Sequence, residues 1–181
     1  MSTKIHPLSR LPKALLDARS GFDCGTPALN QYLAQQAAQH EARNVTRTTC
    51  AEIGGTLAGY YALTNATVDV RALSPAVIKK YRLPTHLLPV IRLARLAVDR
   101  RFQGQGLGQT LLIDAMSKVM RAAELSGCIG LVVDAKDNRA AGFYEGFGFR
   151  RAPENGLLLF MPLPEIQELL KGPSPASNHS E

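Results

Sequence analysis

Leu93-Ala94-Arg95-Leu96-Ala97-Val98-Asp99-Arg100-Arg101-Phe102-Gln103-Gly104-Gln105-Gly106-Leu107-Gly108 is the stretch that decides the fold. Its first half continues an apolar run broken only by Arg92 and Arg95, and predicts a strand from Leu87 to Val98. Its second half is a turn containing Gly104, Gly106 and Gly108. Beyond it Leu107, Leu111, Leu112, Ala115, Met116, Val119 and Met120 recur at helical spacing, which predicts a helix from Leu107 to Leu125. A strand that passes through a glycine turn into a helix leaves free N–H groups at the helix start, backed by the positive end of its dipole. Glycines admit positive φ and the close approach of a bulky ligand. The result is a nest suited to a pyrophosphate, with Arg100 and Arg101 adding charge. A Walker A loop is excluded, because Gly108 is followed by Gln109-Thr110 and not by Lys-Ser/Thr. The dinucleotide fingerprint is excluded by the spacing, G-x-G-x-G in place of G-x-G-x-x-G. By themselves the glycines are equally consistent with a plain strand-to-helix turn.

Working outward toward the N-terminus, Ser74 to Tyr81 reads as a short helix, and Val45–Ile53 and Leu57–Val70 as a hairpin joined at Gly54-Gly55. Thr26-Pro27 resembles a helix start with a hydroxyl cap, and Leu29, Tyr32, Leu33, Gln36 and Ala37 share one face of the helix that follows, to about Glu41. Met1 to Pro12 reads as a loose leader. Toward the C-terminus, Gly127 ends the long helix. Ile129–Asp134 is a short apolar run typical of a buried strand. Asn138 caps a helix to Glu145, Gly156–Leu163 is a last strand, and Pro164–Leu170 a last helix. The elements make one mixed α/β domain over residues 1–171. Residues 172–181, rich in Pro and Ser, read as a disordered tail.

Composition bounds the function. The chain has 181 residues, 45% of them hydrophobic and 20% charged, as expected for one soluble domain with a real core. A net charge of +6 points to a polyanionic partner or to a generally basic surface. Cys24, Cys50 and Cys128 are odd in number and not spaced as a metal clip, so free thiols in a reducing cytoplasm and no metal are expected. No signal-peptide run and no membrane-length apolar stretch is present.

The glycine segment resembles the cofactor motif of the GNAT superfamily of N-acetyltransferases, Q/R-x-x-G-x-G/A, through Arg101, Gly104 and Gly106. A second family motif is matched by Asn138-x-x-Ala141-x-x-Tyr144-x-x-x-Gly148-Phe149. The likeness is closer still to the GNAT toxins of bacterial toxin–antitoxin pairs. It runs through Phe22-Asp23-Cys24-Gly25, Leu29-Asn30-Gln31-Tyr32-Leu33, Arg43-Asn44-Val45-Thr46-Arg47-Thr48, Gly59-Tyr60-Tyr61-Ala62-Leu63, Arg95-Leu96-Ala97-Val98-Asp99 and Val133-Asp134-Ala135-Lys136. Where many relatives have Gly before Arg-Leu-Ala-Val, this chain has Ala94, a change expected to be tolerated.

The resemblance implies the GNAT acyl-CoA N-acyltransferase fold, a central, mostly antiparallel twisted sheet flanked by helices. It implies acetyl-CoA as cofactor, with its pantetheine arm along Leu96, Ala97 and Val98. The remaining cofactor contacts it implies are Arg101, Gln103, Gly104, Gln105, Gly106, Leu107, Gly108, Asn138 and Ala141. It implies an aminoacyl-tRNA substrate acetylated on its α-amino group, which blocks translation. It also implies a ribbon-helix-helix antitoxin, operator DNA bound through the antitoxin complex, and a homodimer. Tyr144 is then the expected catalytic acid: a phenol, with reference pKa about 10, suits protonation of a departing thiolate. Its alternative role is packing beside Phe143 and Phe147. No general base stands out among Glu41, Glu52, Asp99 and Asp134. An α-amino group, with pKa about 7.7–8.0 before esterification lowers it, needs a base less than a lysine at about 10.4. Arg43, Asn44, Arg47, Arg92 and Arg95 are the candidate substrate and tRNA contacts, since Arg forks match phosphate. Arg92 and Arg95 are also consistent with a strand face turned to solvent or antitoxin. A housekeeping acetyltransferase of a small amine or protein terminus, and a non-catalytic module binding CoA or nucleic acid, are the competing readings.

Overall fold

β4 (Leu87–Val98) is the strand around which the sheet is organised. The structure is a computed structural model and describes residues 2–172. β1 (Thr3–Pro7), β2 (Arg47–Ile53) and β3 (Thr56–Asp69) lead antiparallel to one side of β4, and β5 (Gly130–Asp134) lies parallel on its other side. β6 (Arg150–Arg151) and β7 (Leu158–Pro162) complete the order β1-β2-β3-β4-β5-β7-β6. The sheet is thus mostly antiparallel with one parallel pair at its centre.

Helices cover both faces. α1 (Lys13–Asp17) precedes a segment made of α2 (Pro27–Gln31), a π-helical turn (Tyr32–Gln36) and α3 (Ala37–Ala42). Tyr32, Leu33 and Ala37 pack from this segment against Cys50, Tyr60, Ala62 and Ala97. α4 (Pro75–Tyr81) sends Val77 onto the same face, among Val90, Val132 and Phe160. On the opposite face α5 (Leu107–Leu125) buries Leu111, Leu112, Ala115, Met116 and Val119 against Ile91, Leu93, Leu131 and Val133. α6 (Asn138–Glu145) and α7 (Leu163–Lys171) add Ala141, Tyr144 and Ile166 to that core.

One irregularity positions the site. Ala62 of β3 pairs with Arg95 while Leu63 pairs with Leu93, so Ala94 is an extra residue on β4. A bulge of this kind shifts the side-chain alternation by one. Leu93, Leu96 and Val98 therefore pack toward α5, whereas Ala97 packs toward Tyr32. Arg92 and Arg95, three apart, would point to opposite faces of a regular strand; the bulge puts both on the α2–α3 side. Ala94 is not among the positive-φ residues, so no glycine is required there.

Several expectations are corrected. The described part of the expected leader, residues 2–12, is not loose: Thr3–Pro7 is an edge strand, Leu8 and Leu11 are buried, and His6 contacts Glu52 at 2.8 Å. Thr26 does not cap α2 with its hydroxyl, which instead accepts from Lys136 Nζ at 3.2 Å. The helix after it is not uniformly α, being π-helical across Tyr32–Gln36. Asp137, not Asn138, caps α6, accepting from the Ala140 N–H at 2.8 Å. α5 ends on an extended Ser126, one residue before Gly127. The expected tail, 172–181, lies outside the described residues except for Gly172. Among the described residues no helix is long and apolar enough to cross a membrane, and no group of three or more His, Cys, Asp or Glu could hold a metal.

Candidate active site

β4 and β5 pair only through Ile91–Leu131, Arg92–Val132 and Leu93–Val133. Beyond Leu93 the strands separate, and the β5-facing edge of Leu96–Val98 is left without a strand partner. A cavity of about 390 Å³ opens in the gap. Leu96, Ala97 and Val98 form one wall, Ala135, Ala140 and Tyr144 another, and Arg95, Asp134, Cys24 and Leu29 its rim. A second depression continues from it along Gly108, Arg100, Lys136, Arg139 and Phe143.

The glycine turn stands at the far end of this depression. Gly104 and Gly106 have φ of 74° and 82°, and a Cβ at either would meet no atom within 4 Å. Their lack of side chains thus leaves open space as well as permitting the turn. The first intrahelical bond of α5 runs from Thr110 N–H to Gly106 C=O, so the amides of Leu107, Gly108 and Gln109 precede it and have no helical acceptor. Gln103 braces the turn by donating to the carbonyls of Cys24 (3.0 Å) and Val98 (2.9 Å). Free amides at the start of a 19-residue helix, an open approach and three flanking cations fit a pyrophosphate.

Not every expected cofactor contact lies here. The Arg101 guanidinium is bound to both oxygens of Asp99, at 2.8 and 2.9 Å, and lines a different hollow with Gly21, Phe22 and Leu57. Asp99 is 2% exposed and also accepts from the backbone N–H of Asp23 and Arg101. The Arg101 side-chain bond is the main reason its carboxyl is held down at about 2. Arg101 supports the turn from behind. Ala141 is fully buried, the Leu107 side chain belongs to the core, and Asn138 accepts from Arg151 at 2.8 Å. Gln105 donates to the Arg101 carbonyl. In compensation, Arg100, Lys136, Arg139 and Phe143 line the channel. Lys136 precedes the second motif and Arg139 is one of its unspecified positions, but sequence alone offers no sign that they face the glycine turn.

Tyr144 lies in the second turn of α6. Its ring is held edge-on by Phe143 (5.2 Å) and Phe149 (5.6 Å), so packing and cavity lining are both true of it. Its phenol makes no hydrogen bond within the described residues, and burial raises its pKa above the ordinary tyrosine value. Such a phenol stays protonated at neutral pH and is free to donate.

The five polar candidates divide into two groups. Arg95 lines the Tyr144 cavity, half-buried, its guanidinium 3.8 Å from the centroid of the Tyr32 ring. Arg92 is ion-paired with Asp134 on the same sheet face, so neither arginine lies on an open solvent face. Arg43, Asn44 and Arg47 sit elsewhere, at the turn after α3. Asn44 has φ of 57°, and Arg47 donates to its Oδ1 (2.7 Å) and to the Glu41 carbonyl (3.0 Å). Arg47 opens onto a broad groove of about 1010 Å³ shared with Arg10, Lys118 and Arg121.

The model of the acetyltransferase (GNAT) domain matches residues 45–151. The chain belongs to the GNAT acetyltransferase family. A tRNA-acetylating toxin of Mycobacterium tuberculosis is 34% identical over 163 residues, 88% of this chain and 95% of that protein. Among solved structures, AtaT complexed with acetyl-methionyl-tRNAfMet is similar with a TM-score of 0.82 and 32% identity, over 93% of this chain and 99% of the other. A mutant AtaT toxin bound to the C-terminus of the antitoxin AtaR and acetyl-CoA gives a TM-score of 0.74 and 30% identity, over 94% and 99%. The strand–turn–helix around Gly104–Gly108, the strand separation at Leu93 and Tyr144 all lie within the matched domain.

Proposed function

We propose that this chain transfers the acetyl group of acetyl-CoA to the α-amino group of an aminoacyl-tRNA, as a toxin that stops translation in the cytoplasm. The observation that carries this reading is the convergence on one cavity of the free edge Leu96–Val98, the unbonded phenol of Tyr144 and the Arg95 guanidinium. The toxin of M. tuberculosis and AtaT with its acetylated methionyl-tRNA support the substrate class. AtaT with the AtaR C-terminus supports an antitoxin partner. A ribbon-helix-helix fold for that partner, operator binding through it and a homodimer belong to the same proposal.

When bound, acetyl-CoA supplies an activated thioester carbonyl. The edge backbone of Leu96–Val98, which has no strand partner beyond Leu93, would hold its amide-bearing arm beside the Val98 carbonyl that Gln103 occupies, and the amides of Leu107, Gly108 and Gln109 its pyrophosphate, with Arg100, Lys136 and Arg139 adding charge. Tyr144 holds a proton for the departing sulfur, and such general-acid help is typically worth ~10²–10⁴-fold. Arg95, held over the Tyr32 ring, offers a fork to phosphate or ester oxygen of the acceptor end. Incubating the protein with acetyl-CoA and charged total tRNA, then identifying acetylated aminoacyl residues, tests the reading. Labelled aminoacyl-tRNA is expected; modification of polyamines or peptides alone refutes it.

A further inference from the structure

Of the acids Glu41, Glu52, Asp99 and Asp134, three are engaged away from the cavity. Glu41 accepts from the Thr48 N–H and faces the broad groove, Glu52 binds His6 and Lys4 at the sheet edge, and Asp99 is enclosed behind the glycine turn. Asp134 lines the cavity that Tyr144 lines. It is the last residue of β5, placed where β4 and β5 part.

Its orientation follows from strand alternation. Val132 packs with Val90 and Phe160 on the face opposite α5, and Asp134, two residues on, shares that face. Arg92 shares it by the same rule, and Arg95 through the Ala94 bulge. Tyr144 comes from the α5 side. The gap between the strands therefore has a proton donor on one face, and a carboxylate with two guanidinium groups on the other. Arg92 Nη1 pairs with Asp134 Oδ2, while Oδ1 makes no hydrogen bond within the described residues. The Asp134 side chain is 57% exposed, so the fixed carboxylate keeps one oxygen open at the mouth.

We propose that Asp134 receives the α-ammonium of the incoming aminoacyl ester through Oδ1 and accepts the proton that it must lose before attack. The proposal rests on the reading of charged tRNA as the acceptor. One proton passes from R–NH3⁺ to the carboxylate and on to solvent. The freed nitrogen pair forms the N–C bond, the C–S bond breaks, and sulfur takes the Tyr144 proton. The second nitrogen proton is lost as the amide forms and Tyr144 is reprotonated. The sum is amine cation plus thioester giving amide, thiol and one proton. The titratable and charged groups around Asp134 are Arg92 and Arg95 from β4, Tyr144 from α6, Lys136 from the following loop and Cys24 from the loop before α2. Lys136 is engaged with Thr26. Arg92 fixes the carboxylate, which then meets the α-ammonium of the substrate.

The test is the pH profile of kcat/KM for aminoacyl-tRNA in wild type, Asp134→Asn and Asp134→Glu, with acetyl-CoA affinity measured alongside by calorimetry. Because the free α-amino group titrates near 7.7–8.0 and its ester lower, the Asn variant should lose roughly 10²-fold at pH 6, within the range of acid–base help. Its deficit should shrink about tenfold by pH 8, where the amine is already neutral. Asp134→Glu should recover part of the rate, and acetyl-CoA Kd should stay within about twofold in both variants. A loss equal at every pH, a matching loss of acetyl-CoA affinity, or an unchanged profile overturns the proposal. A wild type that leaves charged tRNA unmodified overturns the substrate reading first, and this proposal with it.

Discussion

The Arg95 guanidinium lies over the Tyr32 ring, 3.8 Å from its centroid, and Tyr32 is itself fixed by a 2.8 Å hydrogen bond to Thr46. The ring sits in the π-helical turn Tyr32–Gln36 and also stacks on Tyr60, with centroids 6.0 Å apart. A rotamer-rich cation is thereby held in place on the cavity rim, and among the described residues it has no carboxylate partner. Arg95→Met keeps the stem on the ring and removes the charge. Its KM for aminoacyl-tRNA should rise about tenfold, and the slope of log affinity against log salt should fall by about one, as for loss of one phosphate contact. Acetyl-CoA Kd should not move. Titration of tRNA binding at several salt concentrations reads both effects.

Tyr144→Phe retains the edge-on contacts with Phe143 and Phe149 and removes one oxygen. Transfer should fall by ~10²–10⁴-fold, the usual span for a general acid, while acetyl-CoA affinity stays within about twofold. Burial raises the Tyr144 pKa, so the wild-type rate should show no decline from loss of the phenol proton at or below the ordinary tyrosine value of about 10. Stopped-flow turnover against pH, with calorimetry for the cofactor, separates this from a packing role, which would lower affinity and melting temperature together.

Sequence legibility followed the range of the forces involved. β4 and α5 begin and end where their apolar periods do, because each is bounded by local chemistry. β1 carried no such signal: five residues including Lys4, His6 and Pro7 form a strand only because β2 offers a ladder and Glu52 an ion pair. The helix caps illustrate the same limit at short range, where Asp137 captured the Ala140 amide and left Asn138 to Arg151. The common face of Arg92 and Arg95 depends on the register of β3, which no local pattern encodes. Arg101 matched a motif in sequence, yet its side chain answers to the buried Asp99. Tyr144 and the glycine turn were legible because two spaced motifs name them, and Arg100 because it adjoins the turn in sequence; Lys136 and Arg139 join it only after the chain has folded.

Gly106 is the residue before α5, at φ of 82°, with open space where a Cβ would stand. Gly106→Ala should cost about 1 kcal/mol of stability through the left-handed backbone, with a modest loss of acetyl-CoA binding. Gly106→Asp carries the same strain and adds a carboxylate beside the amides of Leu107 and Gly108. A negative charge there is not unfavourable to the helix itself. Melting temperatures of the two variants should therefore be close, while acetyl-CoA Kd should rise at least tenfold more in Asp than in Ala, about 1.4 kcal/mol. Similar affinities in the two variants would place the pyrophosphate elsewhere.

Asp99 ties the end of β4 to the loop at Asp23 and holds Arg101 behind the turn. Its native carboxyl is depressed to about 2 from an ordinary 3.8, chiefly by the Arg101 side-chain bond. A depressed acid contributes stability that is complete above its unfolded pKa and is lost as pH falls through its folded one. That places full stabilisation above about pH 4 and its disappearance near pH 2, with a size on the order of 2 kcal/mol. Asp99→Asn should therefore be destabilised by about that amount or more at pH 7, since it also leaves the buried end of the Arg101 bond without its charge. The gap from wild type should narrow progressively below pH 4. Urea midpoints measured from pH 7 down to pH 2.5 test this, and a gap that stays constant through that window would remove the Asp99 carboxylate from the acid sensitivity of the fold.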